Sequence, residues 1–298
     1  MVAWEGAVGP LTLRVVWCGS DLRFGVNNVA TTAAAVATYA ALVAFPNTDL
    51  VFSIGTAGGF AQRGAAIADV FLSSKCVFHS RRIPDSHGGH LEEYGFGHFR
   101  SPALSGLAAA AELKTGVVST SDSLDCSEVD LQLMMAEGAV VKEMEAAAVA
   151  WVAEQLQVPF VALKAITDLV DGGEATRHEF ESNLRLAASV LEEKMVVVLA
   201  LIGGKPLSHW AAPGTRAVHA AAAETSVTHS STQPTPAVSH AVGRSAVDDV
   251  EMRPRLAPVA CRGYAPSLAL SAAVLAVGLS VGLVTGRWLS LGESMRRI

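Results

Sequence analysis

The chain has 298 residues, 51% hydrophobic and 17% charged, with a formal net charge of −6. That apolar content excludes a wholly disordered chain, and the acidic balance argues against general nucleic-acid binding, which needs a basic surface. Four cysteines without a Cys-x-x-Cys pair exclude a disulfide-built secreted scaffold and fit a reducing compartment.

The first two thirds read as alternating strands and helices. Leu11–Cys18 is apolar and β-branched, which predicts a strand. Asn28–Phe45 is alanine-rich and long enough for a helix, with Asn27 or Asn28 as its cap. Leu50–Ile54 predicts a short buried strand ending in a glycine-rich turn, GTAGGF. Asp69–Ser73 and Lys75–His79 predict further strand, Leu104–Leu113 a helix and Gly116–Thr120 a strand. Ala139–Lys142 leads into a helix over Glu145–Gln157, Val158–Ile166 predicts a buried strand, and Glu179–Ile202 a long last helix. Such alternation implies a parallel sheet with crossover helices.

Charge and composition change near residue 205. Residues 1–205 hold 14 basic and 23 acidic side chains, residues 206–298 hold 8 and 5, and all six lysines lie in the first part. Residues 1–207 therefore read as one folded domain. Residues 208–263, rich in Ala, Ser, Thr, Pro and His, read as a low-complexity linker; His209, His219, His229 and His240 belong to that composition. Residues 264–286 form an uncharged run with Gly278, Gly282 and Gly286 four apart. Its length suits a membrane-spanning helix, with a buried helix of a soluble protein as the other reading. Residues 287–298 make a short basic tail. Met1 is not followed by a signal-peptide pattern. The expected arrangement is a cytosolic domain anchored to a membrane by a C-terminal single helix.

In open α/β sheets ligands sit at the carboxyl ends of the strands. The predicted strands are followed there by Gly55-Thr56-Ala57-Gly58-Gly59, by Ser121-Asp122-Ser123-Leu124-Asp125, by Glu143-Met144-Glu145 and by Thr167-Asp168. Taken alone, Glu145 could be an acidic residue of a helix's first turn and Asp168 a turn residue. GTAGGF is neither a dinucleotide fingerprint nor a P-loop, so no cofactor is expected. His87 and His90 lack further ligands at metal-site spacing, so no metal is expected either.

Taken in order and at these intervals, GTAGGF, FHSRRIP, STSDSLD, KEMEAAAVAWVAEQLQVPF and LKAITDLVDG resemble the 5′-methylthioadenosine/S-adenosylhomocysteine nucleosidases, above all their plant branch, within the purine nucleoside phosphorylase superfamily. The resemblance covers roughly Gly9 to Leu207. It implies a three-layer α/β sandwich with a central mixed, largely parallel sheet, acting on the N-ribosidic bond of methylthioadenosine or S-adenosylhomocysteine to release adenine. On that resemblance Asp168 matches the acid that protonates N7 of adenine, and Glu145 the carboxylate that holds the ribose hydroxyls. Met144 matches a residue beside the ribose. Leu124 and Asp125 match the loop that clasps the base, Asp125 acting through its backbone. Thr56, Ala57 and Gly58 match the turn near the sugar and water, and Thr167 a hydroxyl that orients the acid. A homodimer is also implied, with Phe78 and the Arg81-Arg82-Ile83-Pro84 stretch as candidates for the partner contact.

The chemistry is coherent by itself. Breaking an N-ribosidic bond puts positive charge on the sugar and negative charge on the base. A protonated carboxyl serves the base, and an ionised carboxylate serves the oxocarbenium-like sugar. Phosphorolytic relatives hold phosphate with an arginine near the glycine turn. Leu50–Ile54 supplies none, which favours water as acceptor.

The family opens with a central strand whose end carries the glutamate that activates the water. This sequence begins at the hairpin after it, and Glu5 is not expected to replace that base. The expectation is a sheet short of its first strand, with unpaired neighbours and impaired turnover. A membrane-tethered nucleoside-binding protein without turnover is the alternative.

Overall fold

Strands buried on both faces need covering layers on both sides, and alanine-rich helices supply one of them. The computed structural model describes residues 1–85, 89–172, 176–211, 273–278 and 296–297, all within one compact unit. His87, the expected linker beyond Ala211, and the expected basic tail apart from Arg296–Arg297 lie outside the described residues.

The chain runs β1 (Val2–Val8), β2 (Leu11–Trp17), α1 (Ala30–Ala44), β3 (Leu50–Gly59), β4 (Val70–Phe78), α2 (Leu91–Phe96), β5 (Phe99–Arg100), α3 (Ser105–Ala110), β6 (Lys114–Thr120) and α4 (Glu128–Ala136). It continues through β7 (Ala139–Glu143), α5 (Ala146–Gln155), β8 (Phe160–Leu169), α6 (Thr176–Ile202), β9 (Ala273–Gly278) and β10 (Arg296–Arg297). The sheet is mixed, in the order β10-β1-β2-β9-β3-β7-β6-β4-β5. β8 pairs in parallel with β3 and antiparallel with β4, so β3, β8, β4, β6 and β7 close into a small barrel.

Side-chain alternation along β3 assigns the two faces. Val51 and Ala57 pack with the buried alanines of α1 and α5. Leu50, Phe52 and Ile54 pack with Leu191, Met195 and Leu199 of α6 and with Leu107 of α3. The small residues Ala146–Ala148 and Ala150 let α5 sit close on the sheet. Trp210, in a 3-10 turn over Leu207–Trp210, closes the second layer.

Several expected boundaries shift for physical reasons. The expected glycine turn is strand: β3 continues to Gly59. A Cβ at Gly59 would come within 2.7 Å of Ala65 Cβ and 3.0 Å of Ile166 Cγ2, so this glycine serves close packing. β4 is one strand with a register shift between Ser73 and Lys75 rather than two strands. α1 starts at Ala30 with Val29 as its cap, because the Asn28 side chain donates to the Cys18 carbonyl instead. α4 has a capping box of Ser127 and Asp130 that the sequence reading passed over.

The largest correction concerns the apolar run at 264–286, of which 264–272 and 279–286 lie outside the described residues. Ala273–Gly278 is not helical: it is strand β9, parallel to both β2 and β3 and lying between them. Short apolar runs do not distinguish buried strand from helix by periodicity, and here the open edges of β2 and β3 decide. The same pairing fills the gap expected from a missing strand. Among the described residues no helix is long and apolar enough to cross a membrane.

Candidate active site

The carboxyl ends of β3, β6, β7 and β8 converge. In register, Gly58 stands opposite Asp168 on one side and Lys142 on the other, and Thr120 stands opposite Glu143. A register shift between Ala57 and Gly58 accommodates Thr167. The Thr167 hydroxyl donates to Asp168 Oδ1 at 2.8 Å, with the Ala57 carbonyl also in reach at 3.1 Å. Asp168 is 3% exposed. The backbone of Thr167 is itself held, since Asn183 of α6 donates to its carbonyl at 2.9 Å.

Glu145 caps α5 and is buried. Its Oε1 accepts the Ala30 amide at 2.8 Å, while Oε2 is buried with no hydrogen-bond partner. Ala30 adopts φ +72, a left-handed conformation that costs an alanine about 1–2 kcal/mol. Burial first, and then the neighbouring Glu143 carboxylate, push Glu145 up to about 7; Lys164 and the Ala30 amide act in the opposite sense.

Glu143 is fully engaged. Its Oε2 accepts the amides of Glu145 and Ala146 at 2.9 and 2.8 Å and lies 2.9 Å from Lys164 Nζ. Its Oε1 accepts the Thr120 hydroxyl. Lys164 is completely buried. Glu143 thus anchors the amino end of α5, where backbone N–H groups favour an anion. The α5 turn in turn presents Glu145.

The match to known proteins is extensive. The phosphorylase superfamily pattern covers residues 3–202. A 5′-methylthioadenosine nucleosidase of Arabidopsis thaliana is 42% identical over 207 residues, 70% of this chain and 76% of its own length. A 5′-methylthioadenosine/S-adenosylhomocysteine nucleosidase of the same plant is 40% identical over 207 residues, 70% of this chain and 80% of its own. The chain belongs to the 5′-methylthioadenosine/S-adenosylhomocysteine nucleosidase family of the phosphorylase superfamily. The apo structure of an Arabidopsis thaliana 5′-methylthioadenosine nucleosidase superposes with a TM-score of 0.66 at 41% identity, covering 69% of this chain and 83% of the other. A crystal structure of an MTA/SAH nucleosidase gives 0.66 at 40% identity, covering 70% and 84%.

Within this nucleosidase-family frame, Thr56, Ala57, Gly58, Glu145, Thr167 and Asp168 gather at the strand ends, each of them buried or pressed against another member of the set. Met144 is half-buried between the two glutamates. Leu124 and Asp125 lie on the exposed loop after β6, Leu124 being 46% exposed. Phe78 is a correction. It is buried within the chain, 6% exposed, edge-on to Phe99 and beneath the Arg81 guanidinium, so it offers little surface for a contact.

Four further residues contribute, two of them, Glu143 and Asp122, within the strand-end segments already named but with no role assigned from sequence. Lys164 and Glu143 form the buried pair behind Glu145. Asp171 accepts the amides of Ala61 and Gln62 at 2.8 and 2.9 Å and ties the end of β3 to the end of β8. Asp122 accepts both the amide and the hydroxyl of Thr31 at the start of α1. A lysine inside a run such as VALKAIT was the available signal, since a buried lysine requires a buried partner.

Proposed function

We propose that this chain hydrolyses the N-ribosidic bond of methylthioadenosine, and of S-adenosylhomocysteine, with Asp168 as acid and Glu145 as the ribose-side carboxylate. The observation that carries the assignment is the contrast between two buried carboxyls at the ends of β7 and β8, the strands on either side of the end of β3. Asp168 Oδ1 accepts a hydrogen bond that fixes it to the Thr167 hydroxyl, whereas Glu145 keeps one oxygen unpartnered. The relatives named as nucleosidases favour turnover over binding alone.

In this reading Asp168 delivers a proton to N7 as the bond to the sugar breaks, relieving the negative charge on the departing adenine. Glu145 Oε2 accepts from the ribose hydroxyls, and its charge stabilises the cationic sugar. Met144 packs beside the ribose, and Thr56, Ala57 and Gly58 line the floor. Leu124 and Asp125 close over the base. Glu143 is committed to Lys164, Thr120 and two amides, which leaves it no free oxygen with which to activate water. No basic side chain lies on β3, which supports water rather than phosphate as acceptor.

The chain is also proposed to act as a homodimer. α1 exposes Val36, Tyr39 and Val43 on one face, and the preceding loop exposes Leu22 and Phe24. Apolar surface of that extent on a soluble domain marks a contact, and the 81–84 segment remains the candidate to reach a partner's pocket. A molar mass by light scattering at twice the chain mass supports the dimer, and a monomer at micromolar concentration removes it. The catalytic reading is tested by adenine release from methylthioadenosine beside the Asp168→Asn variant.

A further inference from the structure

We infer that Lys142 is a positioning residue for base recognition: its buried ammonium holds two peptide carbonyls of the base loop so that the amides behind them face the purine. This rests on the proposed role of Leu124 and Asp125. Lys142 lies on β7, only 6% exposed, one residue before Glu143. Its Nζ donates to the Ser123 carbonyl at 2.9 Å and to the Leu124 carbonyl at 2.6 Å.

A trans peptide is planar, with its C=O and N–H antiparallel. With both carbonyls turned down onto the buried lysine, the N–H groups of the same two peptides, those of Leu124 and Asp125, turn toward the open side of the loop. Neither amide donates to any group among the described residues. Elsewhere in the loop the Ser121 amide donates to the Glu143 carbonyl at 3.1 Å and Asp122 accepts from Thr31. Among the described residues only the Ser121 hydroxyl, at 3.2 Å, shares the Ser123 carbonyl with Lys142, and Lys142 alone reaches that of Leu124. A charge-assisted bond to each carbonyl is therefore the principal restraint on the direction of these donors.

The consequence is specificity for the base. Adenine presents an acceptor at N1, where hypoxanthine carries an N–H. Fixed amide donors accept the first and oppose the second, and a site built to hydrogen-bond one pattern rejects the other strongly. Lys142 also stands opposite Gly58, the residue pressed against Asp168, so the base loop and the acid are referenced to one strand end.

The test compares wild type, Lys142→Met and Lys142→Arg in the full chain, on methylthioadenosine and methylthioinosine. Removing two charge-assisted bonds should raise KM for methylthioadenosine about tenfold to a hundredfold, with a smaller change in kcat. It should also narrow the preference for the adenine nucleoside by about tenfold or more. Lys142→Arg keeps the cation and should restore most of both. Wild-type KM and preference in the methionine variant would overturn the inference. Hydrogen exchange on the wild type tests the direction of the two amides, on which the inference depends, even where a variant does not fold. Adenine should slow exchange at the Leu124 and Asp125 amides, and unchanged exchange in an adenine-saturated protein would overturn it. A wild type that binds adenine with this protection but releases none from methylthioadenosine would instead count against the catalytic reading alone.

Discussion

A Cβ at Gly58 would lie 2.7 Å from Asp168 Oδ2 and 2.7 Å from Val170 Cγ2. The second glycine of GTAGGF thus leaves the room that the acid's carboxyl occupies. Gly58→Ala should displace that carboxyl, and displacement of an acid by about 1 Å costs on the order of 100-fold in rate. Gly59→Ala meets Ala65 and Ile166 instead. It should lower stability by about 1–3 kcal/mol while leaving Asp168 in place. Steady-state kinetics with thermal melts on both variants check the division, and equal kinetic losses would contradict it.

Glu145 carries a trade between stability and activity. Its folded-state value near 7 stands above the ordinary glutamate value of 4.5, so its ionised form is disfavoured by folding. That penalty is complete above about pH 7, fades as the pH falls and is absent below about 4.5. Glu145→Gln should abolish turnover yet stabilise the ligand-free protein by about 1–3 kcal/mol at pH 8, with little gain at pH 4.5. Urea unfolding at the two pH values measures this. The wild-type kcat/KM should fall as the pH drops below about 7, because the ribose-side carboxylate must be ionised.

The amide of Ala30 reaches Glu145 only from a left-handed backbone. Glycine adopts that conformation without the Cβ clash, so Ala30→Gly should stabilise the protein by about 0.5–1 kcal/mol. Activity should persist, because the amide remains. A lower melting temperature would show that the strain lies elsewhere.

β9 pairs with β2 from Thr12 to Trp17 and with β3 from Leu50 to Ile54. Truncation after Ala211 would leave both edges unpaired, and open apolar edges recruit other chains. The truncated protein should self-associate on light scattering and melt well below the full chain. An equally stable, non-aggregating truncation would contradict the placement of this strand.

The buried centre of the fold was legible from sequence because β3, β6, β7 and β8 read as apolar runs between helix-length segments. The residues at their ends were legible because small and acidic side chains collect there. What periodicity could not supply was the partnership of distant groups. Lys164 and Glu143 are separate in sequence and meet only when β8 and β7 close the barrel. Ala30 gives no local sign of its strained backbone, which is set by Glu145. Ala273–Gly278 misled because Ala, Val, Leu and Gly suit a helix and a strand between two others equally, and only the edges of β2 and β3 separate the two.

The most direct measurement is adenine release from methylthioadenosine by the full-length chain, run beside Asp168→Asn under identical conditions. The account predicts release by the wild type and a loss of about 100-fold or more in the variant, the scale of a general acid's contribution. Equal release by both proteins would contradict the role given to Asp168. A folded wild type that binds the nucleoside without cleaving it would contradict the assignment of this chain as a nucleosidase.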